Sequence, residues 1–317
     1  MASLPARATR TLRRQLTPSL GPTPWIRHLL PTQRSFSTSP TRAITTSNPT
    51  PSSSPSEAPL YPGHVRINLF QRSLLAVGSA FASITNTYRH DMIAVLSETT
   101  SGPFLARLRT EILSTPSGRS LLRERPRITE ASLDIENTLA KLPAGTFGRA
   151  YADWLKGNKV TPDTRDPVRY IDDAELAYIM QRYRESHDFY HVLLGFGVSL
   201  PAELVVKWFE LANFGLPVAL LSSVFGPLRM EKEERSRLWD AYGSWALKSG
   251  GKAECLIGVE WEKKWGMDIG ELRRELGIEM PKVDFKDWKR EGRRLKKEKE
   301  KEERERFKAS AADGVRV

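Results

Sequence analysis

Apolar positions along this chain recur at helical rather than strand spacing. From about Asn68 to Glu98, Leu69, Leu74, Leu75, Phe81, Ile84, Tyr88 and Met92 return every three to four residues, which predicts one helix there. Its first half, Ala76-Val77-Gly78-Ser79-Ala80-Phe81-Ala82, is small and apolar, as in a helix that is buried or touches lipid. Gly102-Pro103 and Pro116-Ser117-Gly118 punctuate two short helices, and Ser132 to Leu142 reads as another, ending at Pro143. The Gly145-Thr146-Phe147-Gly148 turn leads into a helical Tyr151–Lys156 and then a polar loop over 157–168. Asp173 suits the N-cap of a long helix over 174–194, and Gly195-Phe196-Gly197 suits its end. Pro201 fits a first helical turn, which puts Glu203 in the first turn of the next helix. The apolar stretch 204–228, broken at Gly215-Leu216-Pro217, reads as core, and helices are expected near 231–249, 252–266 and 269–276. Long β-branched alternations are absent, so the pattern predicts an all-α fold: a single multi-helix domain over 63–281.

The two ends differ from this body. Residues 1–56 hold no Asp or Glu, seven Arg and many Ser, Thr and Pro, the composition of a mitochondrial presequence. We expect a transit peptide over 1–43 and a disordered Pro/Ser/Thr linker over 44–62. The segment 282–317 reads as a charged, solvated helical tail with Lys and Glu at helical spacing. Of the formal +11, the first 56 residues carry +7 and the tail +5, leaving the body near −1. A nucleic-acid partner therefore has no globular basic face to bind. A lone cysteine, Cys255, excludes an internal disulfide and is read as a small buried residue. No run approaches the ~18 apolar residues of a membrane-spanning helix.

The candidate chemistry lies in Ser186-His187-Asp188-Phe189-Tyr190-His191, with Glu203 further on. On a helical wheel His187, His191 and Asp188 fall at roughly 0°, 40° and 100°, on one face. Two imidazoles and two carboxylates in that arrangement suit zinc, iron or manganese. A histidine pair alone equally suits buried rings that satisfy backbone carbonyls. The related pair His90-Asp91 lacks a second His one turn on and is read as a helix surface or a polar contact. Arg184 falls near 60° on the same wheel, where a guanidinium could anchor a substrate carboxylate. The ordinary alternative is an ion pair with Glu185, Asp188 or Asp172.

The stretch from Tyr170-Ile171-Asp172-Asp173 through Arg182-Tyr183-Arg184-Glu185-Ser186-His187-Asp188-Phe189-Tyr190-His191 resembles the ubiquinone (coenzyme Q) biosynthesis protein four family. Glu203, Lys207, Glu210, Gly215-Leu216-Pro217, Leu256–Glu262 and Leu272–Ile278 extend the resemblance, which covers about 62–281. It implies an all-helical mitochondrial protein, peripheral on the matrix face of the inner membrane, within a multi-protein ubiquinone-synthesis assembly. It also implies a divalent metal, usually described as zinc, held by His187, Asp188, His191 and Glu203. The implied reaction removes the ring C1 carboxyl of a 4-hydroxy-3-methoxy-5-polyprenylbenzoate, in an oxidative version with hydroxylation of the same carbon. Zinc has no redox chemistry, so iron and manganese stay open. The rival reading is a non-catalytic lipid-binding scaffold that organises the complex. In either case a polyprenyl tail needs an apolar path, for which 69–84 and 204–225 are the candidates.

Overall fold

The computed structural model describes residues 58–86 and 89–314, with the side chains of 90 and 309–314 left aside. The expected transit peptide and most of the linker lie outside these residues. Among the described residues the chain is helical and forms no strand; one isolated bridge joins Thr146 and Asp268. No described helix is long and apolar enough to cross a membrane.

The axis of the fold is α7 (Ala174–Leu194), capped at Asp173, whose carboxylate accepts from the amides of Glu175 and Leu176. Every residue from Ala177 to Leu194 is buried, although eight of them are polar or charged. A helix sealed on all sides must pair each such group. Arg182 reaches Glu262 and the Val259 carbonyl at 2.6–3.0 Å. Glu185 takes Arg127, the Ile128 amide and Gln181. Gln181 in turn accepts from the Val168 amide. Apart from Ser186, which bonds within α7 to the Arg182 carbonyl and Tyr190, these buried polar side chains clamp neighbouring segments onto the helix. The apolar side of α7 carries Phe189, which meets Tyr151 of α6 (Phe147–Asn158) edge-on at 4.7 Å and Trp265 at 5.4 Å.

Gly195 ends α7 in the left-handed conformation (φ 78°), a position that suits glycine. The chain then reverses into α8 (Leu200–Phe214), with Pro201 in its first turn. The far side of α8 packs on α11 (Ser244–Lys252), where a Cβ on Gly250 would run into the Phe209 carbonyl. Asn213 staples this junction by donating to the carbonyls of Gly250, Ala253 and Glu254 and accepting from the Leu256 amide.

Three expected helices differ. The segment 68–98 is two helices, α1 (Leu69–Thr85) and α2 (His90–Thr100), which pack on each other. The Thr85-Asn86 end leaves helical geometry because short polar side chains compete for the backbone. Residues 132–142 form only a one-turn α5 (Glu130–Leu133), stopped by Asp134 at φ 42°, and a 3-10 turn at Leu139–Lys141. Residues 252–266 are two 3-10 turns, at Leu256–Gly258 and Trp261–Lys263, held by the Asn213 staple. The other short helices are α3 (Gly102–Leu113), α4 (Pro116–Glu124), α9 (Pro217–Phe225), α10 (Lys232–Leu238) and α12 (Ile269–Glu275). A π turn at Trp239–Gly243 runs α10 into α11.

The apolar segments behave unequally. Residues 204–214 are core apart from a few half-buried positions, which removes most of α8 from a tail path. By contrast α1 exposes Leu69, Phe70, Leu74, Val77 and Phe81, each more than 60% accessible, and α9 exposes Leu220 and Val224. Cys255 is half-buried, and burial, with Glu111 beside it, pushes its thiol up to about 12. Arg89 pairs with Asp91 at 2.7 Å on the surface, in keeping with the polar reading there. The tail helix α13 (Phe285–Gly314) docks through buried Phe285 and Trp288 and is otherwise exposed through Lys308.

Gly250→Ala should lower stability by about 1–3 kcal/mol, because backbone meets backbone and neither side can yield. Alanine's helix propensity favours the variant by about 1 kcal/mol, so the clash must outweigh it. An unchanged thermal midpoint would show that α8 and α11 do not approach so closely.

Candidate metal centre

Helix α7 presents His187 and His191 one turn apart, and the short reversal at 195–199 brings Glu203, in the first turn of α8, beside them. His187 Nε2 and His191 Nε2 lie 3.2 Å apart, and Glu203 Oε2 is 3.4 Å from each. Among the described residues, these are the three groups that converge closely enough to share an ion.

Hydrogen bonding on the far side of each ring decides what points inward. The Gly197 carbonyl can only accept, so His191 Nδ1 donates to it at 2.9 Å and Nε2 is left bare in the neutral ring. His187 Nδ1 lies 2.5 Å from Glu210 Oε1, a fully buried carboxylate, which leaves Nε2 bare there too. Two lone pairs and a carboxylate oxygen then face one another with no hydrogen among them. A positive centre has to lie there. One candidate is a proton on His187: burial and Lys207 pull that ring down, but Glu210 and Glu203 more than offset them and raise it. The other is a metal ion, and the geometry fits one: donors about 2.0–2.2 Å from a common ion are roughly 3.0–3.4 Å apart at adjacent corners.

A second layer holds the first. Glu210 accepts from Lys207 Nζ and from Tyr183 Oη, both at 2.7 Å, besides His187. Burial alone would raise the Glu210 carboxyl, but Lys207 and His187 dominate and hold it down to about 2. Burial likewise opposes ionisation of Glu203, and His191 and His187 win, leaving it well below the usual carboxylate range. Both carboxylates are therefore anions at neutral pH. This buried support fixes ring orientation and tautomer, as the outer shell of a metal site does.

Not every expected residue joins the triad. Asp188 stands outside it, with Oδ1 2.5 Å from Arg165 Nη2. Arg184 turns away: Nη2 meets Glu98 at 2.8 Å, Ser97 Oγ at 2.9 Å and the Ala94 carbonyl at 2.7 Å, and Nη1 meets the Asp166 carbonyl. Its ion-pair partner is Glu98, not Glu185, Asp188 or Asp172, because Ala94, Ser97 and Glu98 of α2 lie within reach of its guanidinium. With these donors engaged, the guanidinium clamps α2 and the 166–170 segment; Glu98 also receives the amides of Arg169 and Tyr170. The roles of Glu210, Lys207 and Arg165 were missed. Glu203, Lys207 and Glu210 share one helical face at i, i+4 and i+7, a spacing that could have marked two of them. Arg165 carries no such mark.

The family model described as "Coenzyme Q (ubiquinone) biosynthesis protein Coq4" matches residues 61–282. A mitochondrial ubiquinone biosynthesis protein COQ4 from Coprinopsis cinerea is 51% identical over 220 residues, 69% of this chain and 75% of its own length. The Podospora anserina protein of the same name is 50% identical over 236 residues, 74% and 77% of the two chains. A mitochondrial COQ4 homolog from Danio rerio is 47% identical over 226 residues, 71% and 83%. A crystal structure from Nostoc punctiforme, named "Putative ubiquinone biosynthesis protein", shares the fold at a TM-score of 0.53 and 23% identity, covering 65% of this chain and 97% of that one.

Purified full-length protein should carry about one divalent ion per chain, lost in His187→Ala and His191→Ala. Glu210→Gln should weaken metal affinity by about 10–100-fold while keeping all three donors. Chelation should lower the thermal midpoint by roughly 5–10 °C, since an ion at 100 times its Kd stabilises by about 2.7 kcal/mol. Metal-free protein with a midpoint indifferent to chelator and added ion would mean that a proton, not a metal, fills the triangle.

Proposed function

We propose that this chain, which belongs to the coenzyme Q (ubiquinone) biosynthesis protein Coq4 family, uses the His187–His191–Glu203 centre to decarboxylate C1 of a 4-hydroxy-3-methoxy-5-polyprenylbenzoate. The chain acts in ubiquinone biosynthesis; the reaction, the metal and the membrane side are our reading. The observation that carries it is the triangle of bare donors. Two imidazoles and one carboxylate, with no thiolate, resemble catalytic zinc sites, which keep a position for water or substrate.

The donor set of two imidazoles and a carboxylate would hold zinc, the ion the resemblance implies, and would suit iron or manganese as well. Asp188, the fourth ligand that the resemblance implies, lies outside the converging triad with Oδ1 on Arg165, so it would reach the ion through a bridging water and not directly. When bound, the ion supplies a Lewis acid for a phenolate or carboxylate oxygen. The rest is done by the chain. Glu210 keeps the His187 proton on Nδ1, and the Gly197 carbonyl does the same for His191. The buried aromatic face of α7 excludes water behind the rings. In the reaction the bond from C1 to the carboxyl breaks, carbon dioxide leaves, and the electron pair stays on C1 to take a proton. The oxidative version needs dioxygen as co-reactant.

The exposed face of α1 supports a peripheral seat on the matrix side of the inner membrane. It is apolar, has Arg72 as its one charged residue, and is tied to the α9 side by Arg229 bonds to the carbonyls of Ser83 and Ile84. A polyprenyl tail would enter along α1 and α9, with other proteins of the ubiquinone-synthesis assembly alongside.

Metal-loaded protein should convert a short-chain prenylated acid to the phenol under argon, or to the hydroquinone only in air, and His187→Ala should fall at least ~10³-fold. Full metal content with no turnover in either atmosphere would leave the scaffold reading. Separately, Leu74→Glu with Val77→Glu and Phe81→Glu should abolish sedimentation with anionic vesicles while metal content and thermal midpoint hold. Sedimentation equal to wild type would exclude α1 as the membrane face.

A further inference from the structure

We infer that Arg165 is the seat for the carboxylate of an acidic aromatic ligand beside the metal centre, the role that wheel geometry suggested for Arg184. This deepens the decarboxylase reading and rests on it for the substrate class. Arg165 follows the 3-10 turn Pro162–Thr164, on the segment that leads into α7. One of its nitrogens, Nη2, is engaged, by Asp188 Oδ1. Nε is buried and has no hydrogen-bond partner among the described residues. The hydroxyl of Tyr151, fully buried in α6, is likewise unpaired, and both groups feel the Asp188 carboxylate. Through Asp188, the residue that follows His187 on α7, Arg165 is joined to the element that carries both imidazoles of the triad.

Buried donors without acceptors are uncommon, because the lost water bonds are not replaced. Two of them around one carboxylate, next to a site built for a cation, mark a place where an acceptor is missing. Arg182 also leaves Nε unpaired, but its Nη atoms are fully held and its side chain is sealed. Arg165 differs because its side chain as a whole is 35% exposed, so the guanidinium can be approached from its open edge although Nε itself is buried. A guanidinium offers a planar fork, and Asp188 leaves one flank of that fork free for a second carboxylate. Asp188 is then a positioning residue: it holds Arg165 against the centre.

As carbon dioxide departs, the carboxylate loses its charge, so its contact with Arg165 weakens toward the transition state. Arg165 therefore holds the ground state at least as well as the transition state, and its loss should raise KM and leave kcat nearly intact.

The test uses metal-loaded full-length protein and two probes: a short-chain prenylated 4-hydroxy-3-methoxybenzoate and the phenol that lacks its carboxyl. Arg165→Gln should bind the acid about 30–100-fold more weakly and the phenol as wild type does, with metal content unchanged and the thermal midpoint lowered by loss of the buried Asp188 pair. Tyr151→Phe should weaken the acid alone by a smaller factor, and it serves in place of Arg165→Gln if that variant loses metal. Where turnover is measurable, KM should rise by the same factor as the binding constant, with kcat within about threefold. Equal weakening of both probes, or no weakening of either, would overturn the assignment. Because binding is read without turnover, a protein that discriminates the probes but does not decarboxylate would refute the reaction and not the seat.

Discussion

Burial of a polar helix is the constraint from which the rest of this structure follows. Helix α7 carries Gln181, Arg182, Arg184, Glu185, His187, Asp188 and His191 into an interior where unpaired polar groups are costly. Each must find a partner, and the partners come from α2, the 126–128 turn, the 165–169 loop, α8 and the 259–262 turns. The elements around α7 are thereby placed by hydrogen bonds as well as by apolar packing. Apolar contact alone tolerates sliding; a guanidinium between Glu98 and two carbonyls does not.

The metal centre is one case of the same rule. His187 and His191 turn their Nδ1 atoms to Glu210 and to the Gly197 carbonyl, and that choice forces both Nε2 lone pairs toward Glu203. The loop between the helices has two jobs in this arrangement. Gly195 makes the reversal possible, and the carbonyl two residues on orients His191. On α8, Glu203 supplies the donor while Lys207 and Glu210, one and two turns on, supply the support. Rigidity behind the rings leaves the open side of the triad as the place where a ligand can enter.

Much of this is legible in the sequence. The cap at Asp173, the α7 span, the Gly195 stop and the first-turn place of Glu203 all rest on local rules, so they hold without knowledge of the rest. The convergence of His187, His191 and Glu203 follows from helical spacing and a short reversal, and is legible for that reason. Where local rules compete, the reading falters: Asp134 and Asn213 break or replace expected helices through side-chain bonds that periodicity does not see.

The sequence by itself determined the helical class, the donor types and the face they share, since these depend on spacing of a few residues. Only the tertiary structure decided which charges meet. Arg184 and Arg165 are both arginines near the motif, yet α2 captures the first and leaves the second beside Asp188. That outcome depends on contacts across 86 and 23 residues, where chain spacing carries no information about direction.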